Sequence, residues 1–200
     1  MFQKFQKIGR LSRECVVTEK LDGTNAQILL LTGAEASALP LDWILNDYST
    51  RINSDLFMVC GSRTRVIKPN DDNYGFARWA WDNHEELAQL GPGRHFGEWW
   101  GQGIQRKYGL KEKRFSLFNT HQWSDDAVRP ACCHVVPVLY SGMFDTARIE
   151  ATLTLLKATG SVAAPGFMKP EGVIVFHSSQ GQLFKKTCER DDKPKGQTRE

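Results

Sequence analysis

Lys20 ends an apolar run in the stretch Glu19-Lys20-Leu21-Asp22-Gly23-Thr24-Asn25. Lysine is a poor residue for the inside of a sheet, and Asp-Gly is turn chemistry. Two readings stand: an exposed hairpin lysine, or an amine kept out of water to attack an electrophile. A free lysine, with a pKa of about 10.4, is protonated at neutral pH. It becomes a nucleophile when desolvation or neighbouring cations depress that value. Further along, Arg63, Glu98, Glu171 and Lys185-Lys186 also sit on β-rich runs. Each alone reads as a charge on a solvated sheet edge. The signal is their joint order: Lys, Arg, Glu, an aromatic strand, Glu-Gly, Lys.

The elements that must position them follow from the pattern of apolar residues. Residues 14–20 and 26–31 read as two strands joined through Asp22-Gly23 as a short turn. Residues 56–65, 94–101, 114–120 and 133–140 read as further strands, and residues 38–49 as a short helix. Phe76, Trp79, Ala80 and Leu87 recur near helical spacing up to Gly91. A second helix is predicted from an Asp145 N-cap through Thr159, stopping at Gly160, with Ile149, Leu153 and Leu156 on one face. Residues 171–176 and 182–187 form a hairpin around 178–181. The sum, roughly eight strands and three helices, is α+β with mostly antiparallel sheets flanked by helices, because short turns join consecutive strands.

In order and content these residues resemble the covalent nucleotidyltransferase superfamily of ATP-dependent ligases and capping enzymes. They look closest to its RNA ligase family, the phage-type nick-sealing RNA ligases. Residues 19–25 match motif I, Lys-x-Asp/His-Gly, with the family's downstream Asn25. Gly61-Ser62-Arg63-Thr64 matches motif Ia, Phe96-Gly97-Glu98 motif III, and residues 114–118 motif IIIa. Glu171-Gly172-Val173-Ile174 is motif IV and Phe184-Lys185-Lys186-Thr187 motif V. Lys-x-Asp-Gly alone is weak evidence; six motifs in order are strong. The implied fold is an ATP-grasp-like ligase adenylation domain over residues 1–190, followed by a charged tail at 191–200. No OB-fold or C-terminal helical domain, which many relatives add, is expected in so short a remainder.

The resemblance implies a chemistry. Lys20 attacks the α-phosphate of ATP, releases pyrophosphate and holds AMP. The AMP passes to a 5′-phosphate, and a 3′-OH then displaces it to seal the break. Arg63 and Lys185 would share the pocket, depress the Lys20 pKa and, with Mg2+ or Mn2+, neutralise phosphate charge. Glu98 would hold the ribose hydroxyls and Glu171 would work beside the metal, which prefers carboxylate and water oxygens; its plainer reading is a turn residue after Pro170. Phe115 is carried over as the ring stacking on adenine; a core aromatic is the competing reading, and Phe118 competes for either role. Asn25 would contact phosphate or the nick. Glu19 either aids the metal or adenosine or is a solvated strand residue.

The family's motif V is usually Lys-x-Lys, whereas Lys185 and Lys186 are adjacent and point to opposite faces of a strand. The role is carried onto Lys185, with Lys186 kept among the nucleotide-binding residues. Residues 97–114 mix glycines, two tryptophans and the cations Arg106 and Lys107. They read either as a nucleic-acid surface or as a basic loop flanking a buried Trp pair.

The bulk properties agree. The 200 residues carry 24% charged side chains and a net charge of +3, ordinary globular values with a mild bias toward anionic partners. Five cysteines, one adjacent pair among them, fit neither a disulfide framework nor zinc knuckles, and point to reduced thiols in a cytosolic compartment; the resemblance implies the cytoplasm of a phage or microbial host. No stretch approaches the ~20 apolar residues of a membrane span. The expected partners are ATP and RNA with 5′-phosphate and 3′-OH ends, in a nicked duplex, with DNA as a second strand type. The alternatives are an adenylyltransferase or capping-type enzyme that does not seal, and a nucleic-acid-binding module with a dead site. Intact Lys20, Glu98, Glu171 and Lys185 speak against the last.

Overall fold

The computed structural model describes residues 2, 3, 5, 8–45, 47–189 and 191, so the charged tail from 192 onward lies outside the described residues. In chain order the elements begin with β1 (Glu14–Lys20), β2 (Thr24–Thr32), α1 (Gly33–Ala36), α2 (Leu41–Leu45), β3 (Ser49–Arg51), β4 (Leu56–Ser62) and β5 (Val66–Ile67). Then come α3 (Phe76–Asp82), α4 (His84–Leu87), β6 (Gly93–Gly101), β7 (Lys113–Leu117), α5 (Thr120–Trp123) and β8 (Cys133–Val135). The last are β9 (Val138–Met143), α6 (Thr146–Thr159), β10 (Gly172–His177) and β11 (Gln182–Thr187). The fold is α+β with mostly antiparallel pairing. The exception is β7–β8, which is parallel. Among the described residues no helix is long and apolar enough to cross a membrane.

The chain divides into two compact units, Met1–Leu21 with Pro137–Glu200, and Asp22–Val136. The first holds a four-stranded sheet in the order β11-β10-β1-β9. Helix α6 covers one face of it. Asp145 caps the helix by accepting from Ala147 N, and Gly160 ends it at φ 85°. Ile149, Leu153 and Leu156 pack on Cys15, Val17, Val173 and Val175. The apolar residues of α6 thus meet the alternating inward positions of β1 and β10, as the two periods require.

The second unit holds a seven-stranded sheet, β3-β4-β2-β6-β7-β8, with β5 paired to β4. Its core gathers Ile28, Leu30, Met58, Ile67, Phe76, Ala80, Leu87, Trp99 and Phe115. Phe76 lies 5.0 Å from Phe115 and 5.5 Å from Trp99, ring centre to ring centre. The helical stretch that ends at Gly91 is broken at Asn83, whose Nδ2 bonds back to Trp79 O at 2.7 Å. Side-chain competition of this kind ends a helix turn, so two short helices stand where one is expected.

Two further expectations fail, both at points where the chain leaves one unit for the other. Asp22-Gly23 does not close a hairpin: β1 pairs with β9 and β10, whereas β2 pairs with β4 and β6. Residues 133–140 are not one strand either. They split into β8 and β9, in different sheets, across Val136-Pro137. Proline has no N–H to give a ladder, and Pro137 O accepts instead from Glu19 N at 2.9 Å.

Candidate active site

In the smaller unit, strand alternation sorts the motif residues by face. Cys15, Val17 and Glu19 point to the α6 side of β1, so Val16, Thr18 and Lys20 point to the other. Lys20 pairs with Gly172 and Thr18 with Ile174. Lys185 pairs with Ile174, and Lys186 with Val173. Cross-strand partners share a face, so Lys20 and Lys185 lie on one side and Lys186 on the α6 side. There the Lys186 ammonium pairs with Glu150 of α6, which raises its pKa. Lys186 is therefore removed from the nucleotide-binding set, while its neighbour Lys185 shares the face of Lys20.

Lys20 Nζ donates to Glu171 Oε2 at 2.7 Å. The Glu171 side chain is 3% exposed and that of Lys20 18%, so this pair is not a solvated surface contact of little consequence. The backbone explains why glycine follows the glutamate. A Cβ on Gly172 would sit 2.2 Å from Lys186 O and 2.7 Å from Thr187 Cα. Only glycine lets β11 come this close, and that approach sets Glu171 at the strand end beside Lys20.

Glu19 is neither solvated nor on the side of Lys20. It is 1% exposed, and its Oε2 accepts from Val162 N and Ala163 N, both at 2.9 Å. Burial pushes its carboxyl upward, partly offset by the Ser161 hydroxyl and the two amides. Its place is as a clamp on the 161–163 segment, which corrects its assignment to metal or adenosine.

The larger unit carries the remaining motif residues. Asp22 N donates to the Tyr108 hydroxyl at 2.8 Å, and Gly23 N to Glu98 Oε1 at 3.0 Å. The Asp22 carboxylate accepts from Arg106 Nε at 2.9 Å. A Cβ on Gly23 would lie 2.3 Å from Trp99 O, so this glycine serves a close approach rather than a hairpin turn. Asn25 pairs with Glu98, and Glu98 with Ser116, which sets these three polar residues on one face of the sheet. Ser116 Oγ accepts from Trp100 Nε1 at 2.9 Å.

Phe115 pairs with Trp99, on the opposite face. It is fully buried among Phe76, Trp79 and Trp99. A ring sealed in the core presents no face to a base, so the core reading holds for Phe115; Phe118 is 39% exposed. Arg106, read as a nucleic-acid contact, is an ion-pair partner of Asp22. Lys107 is exposed, with a left-handed φ of 59°, and Arg63 is exposed on the turn between β4 and β5.

Sequence reasoning missed Tyr108 and the pairing of Asp22. The available signal was a tyrosine among glycines in 101–109, where Gln105, Lys107 and Tyr108 all take positive φ. Such backbone costs on the order of 1–3 kcal/mol per residue and persists only where the surroundings enforce it.

No group of three or more His, Cys, Asp or Glu that could hold a metal occurs among the described residues. In the smaller unit, the carboxylate that Lys20 meets is Glu171. A hard divalent cation fits such a place when phosphate and water supply its other oxygens.

The architecture is α+β, built on two largely antiparallel sheets, with a lysine–glutamate pair at the end of one of them. The model of the RNA ligase family matches residues 13–189, and the chain belongs to that family. No curated protein matches it. Among solved structures, two lysine-to-alanine mutants of Naegleria gruberi RNA ligase with ATP and Mn match at TM-scores of 0.54 and 0.53, each at 18% identity over 87% of this chain and 49% and 48% of theirs. The same enzyme with PPi matches at 0.52 and 19% identity, over 87% of this chain and 49% of that one. At such identities the likeness establishes the fold. This chain spans about half the length of those it matches.

Proposed function

We propose that this protein is an ATP-dependent RNA ligase that seals 3′-OH/5′-phosphate breaks through a covalent AMP on Lys20, its residues 1–190 forming one adenylation module. The observation that carries the reading is the 2.7 Å contact from Lys20 Nζ to the buried Glu171 Oε2. The protein's membership of the RNA ligase family and the ATP and Mn in the Naegleria structures support it. Lys20 must shed a proton before it attacks, and Glu171 Oε2 is the acceptor within reach. The freed amine forms an N–P bond to the ATP α-phosphorus as the bond to pyrophosphate breaks and pyrophosphate leaves with the electron pair. An oxygen of the RNA 5′-phosphate then displaces the lysine. Finally the 3′-OH attacks that phosphate and AMP departs.

Lys185, on the face of Lys20, supplies positive charge where negative charge develops on phosphate. Glu171 and the nucleotide phosphates would hold Mg2+ or Mn2+, which neutralises phosphate charge when bound. Glu98, Asn25 and Arg63 keep the roles the resemblance implies, toward ribose and phosphate.

The test is label transfer from α-labelled ATP to protein with Mg2+ or Mn2+. Label is expected in the native protein and absent in Lys20→Ala; no label with either metal refutes the proposal. Nicked duplexes with RNA or DNA beside the break then separate sealing from adenylylation alone.

A further inference from the structure

The four-stranded sheet of the smaller unit has one covered face and one open one. Helix α6 seals the face that carries Cys15, Val17, Val173 and Val175. On the other face Val16, Thr18 and Lys20 of β1 and Ile174 of β10 are only half-buried. Cross-strand register arranges that face in rows. Lys20 lies opposite Gly172 at one end. The next row holds Val138, Thr18, Ile174 and Lys185, and the row after it Val16, Phe176 and Leu183. Met143, opposite Glu14, closes the far end. Phe176, Leu183, Val138 and Met143 are 40%, 67%, 45% and 52% exposed. Exposed apolar side chains gathered on one face mark an interaction surface.

Charge selects the partner. Two amines, Lys20 and the exposed Lys185, share this face with the apolar side chains, whereas the core of a protein–protein interface is depleted in lysine. The Glu14 carboxylate on the same face lies at the end opposite Lys20. Lysines that meet phosphates beside an aromatic ring that stacks on a base are the chemistry of nucleic-acid recognition on an open sheet. Length separates a strand from a mononucleotide. Along β1 the Phe176 row lies four residues from Lys20 and the Glu14 row six, about 13 Å and 20 Å at about 3.3 Å per residue. One nucleotide joined to Lys20 cannot cover all of that face, and a ring on a sheet takes a base only where the base is unpaired. We infer that the open face of this sheet is the platform for unpaired RNA beside the break, with a base stacked on Phe176 and the backbone running past Lys185 toward Lys20, a subsite that rests on the RNA ligase reading for its choice of RNA.

The test titrates a fluorescent single-stranded RNA bearing a 5′-phosphate with the full-length protein. Phe176→Ala is compared with Phe176→Trp, which keeps a ring, and with Phe184→Ala. Phe184 is 50% exposed on the same hairpin but pairs with Val175, so it points to the α6 side. Phe176→Ala should weaken RNA binding about five-fold or more, while Phe176→Trp and Phe184→Ala stay within about two-fold of the native protein. Equal losses in the two alanine variants, a Phe176→Trp loss equal to that of Phe176→Ala, or no RNA binding by the native protein overturns the inference. So does a Phe176→Ala protein that binds RNA normally but needs more ATP to label, which would put adenine on the ring, or one that loses only self-association. Labelling by ATP is scored separately. A native protein that binds RNA through Phe176 without labelling refutes the ligase reading and leaves this one standing; a protein that labels while Phe176→Ala binds RNA at the native affinity refutes this one alone.

Discussion

Glu171→Gln probes the reaction proposed for Lys20 most directly. The amide keeps the shape of the side chain and one oxygen that accepts from Lys20 Nζ, now 2.7 Å from Oε2. It loses the charge and the capacity to take a proton. A hydrogen bond between charged groups contributes about 1.5–3 kcal/mol. Lys20 is 18% exposed and reaches water in part, so the lower end applies to stability. At about 2–4 °C per kcal/mol for a chain of this size, Tm should fall by roughly 3–6 °C. The chemical cost is larger. Losing a positioned proton acceptor slows a step about 10²- to 10⁴-fold, or about 2.7–5.4 kcal/mol of barrier at 1.36 per decade. Single-turnover label transfer from α-labelled ATP, run well below the variant's Tm, separates the two effects. A folded Glu171→Gln protein that labels within about three-fold of the native rate would show that Glu171 does not take the proton.

Three further outcomes are expected. Lys185→Ala should slow labelling by at least about ten-fold by removing positive charge on the Lys20 face, whereas Lys186→Ala, which loses only the pair with Glu150, should label at the native rate; equal effects would contradict the strand parity. Gly172→Ala forces a Cβ to within 2.2 Å of the Lys186 carbonyl oxygen, and at about 2 kcal/mol for overpacking a backbone contact its melting temperature should drop by roughly 4–8 °C. Glu19 has a folded pKa above its ordinary 4.5, so the folded state holds the proton more tightly and stability falls as pH rises from about 4.5 through the raised value. Glu19→Gln should flatten that part of a Tm-against-pH curve between pH 4 and 7, and an unchanged slope would assign the dependence to another group.

Much of the fold was legible because its signals are local. Helix α6 announces itself by an Asp145 cap, a Gly160 stop and three apolar residues on one face, and the hairpin of β10 and β11 by two runs joined through a four-residue turn. The opposite faces of Lys185 and Lys186 follow from the two-residue period of a strand. Phe115 was harder. Which of two aromatic residues near Glu98 faces a ligand depends on register between β6 and β7, and that pairing seals Phe115 against Phe76 and Trp99.

The amino-acid sequence by itself determined the chemical groups and their order: an amine, a guanidinium, two carboxylates and a second amine, with glycines near them. It could not decide strand partnership. Asp22-Gly23 carries every local mark of a hairpin turn, yet β1 and β2 belong to different sheets, and residues 133–140 read as one strand yet serve two. Pairing is a choice among segments far apart in the chain, settled by which apolar faces bury together. Tertiary structure alone therefore brought Glu171 to Lys20 across 151 positions of sequence, and turned Glu19 and Lys186, each next to a site residue, away from it.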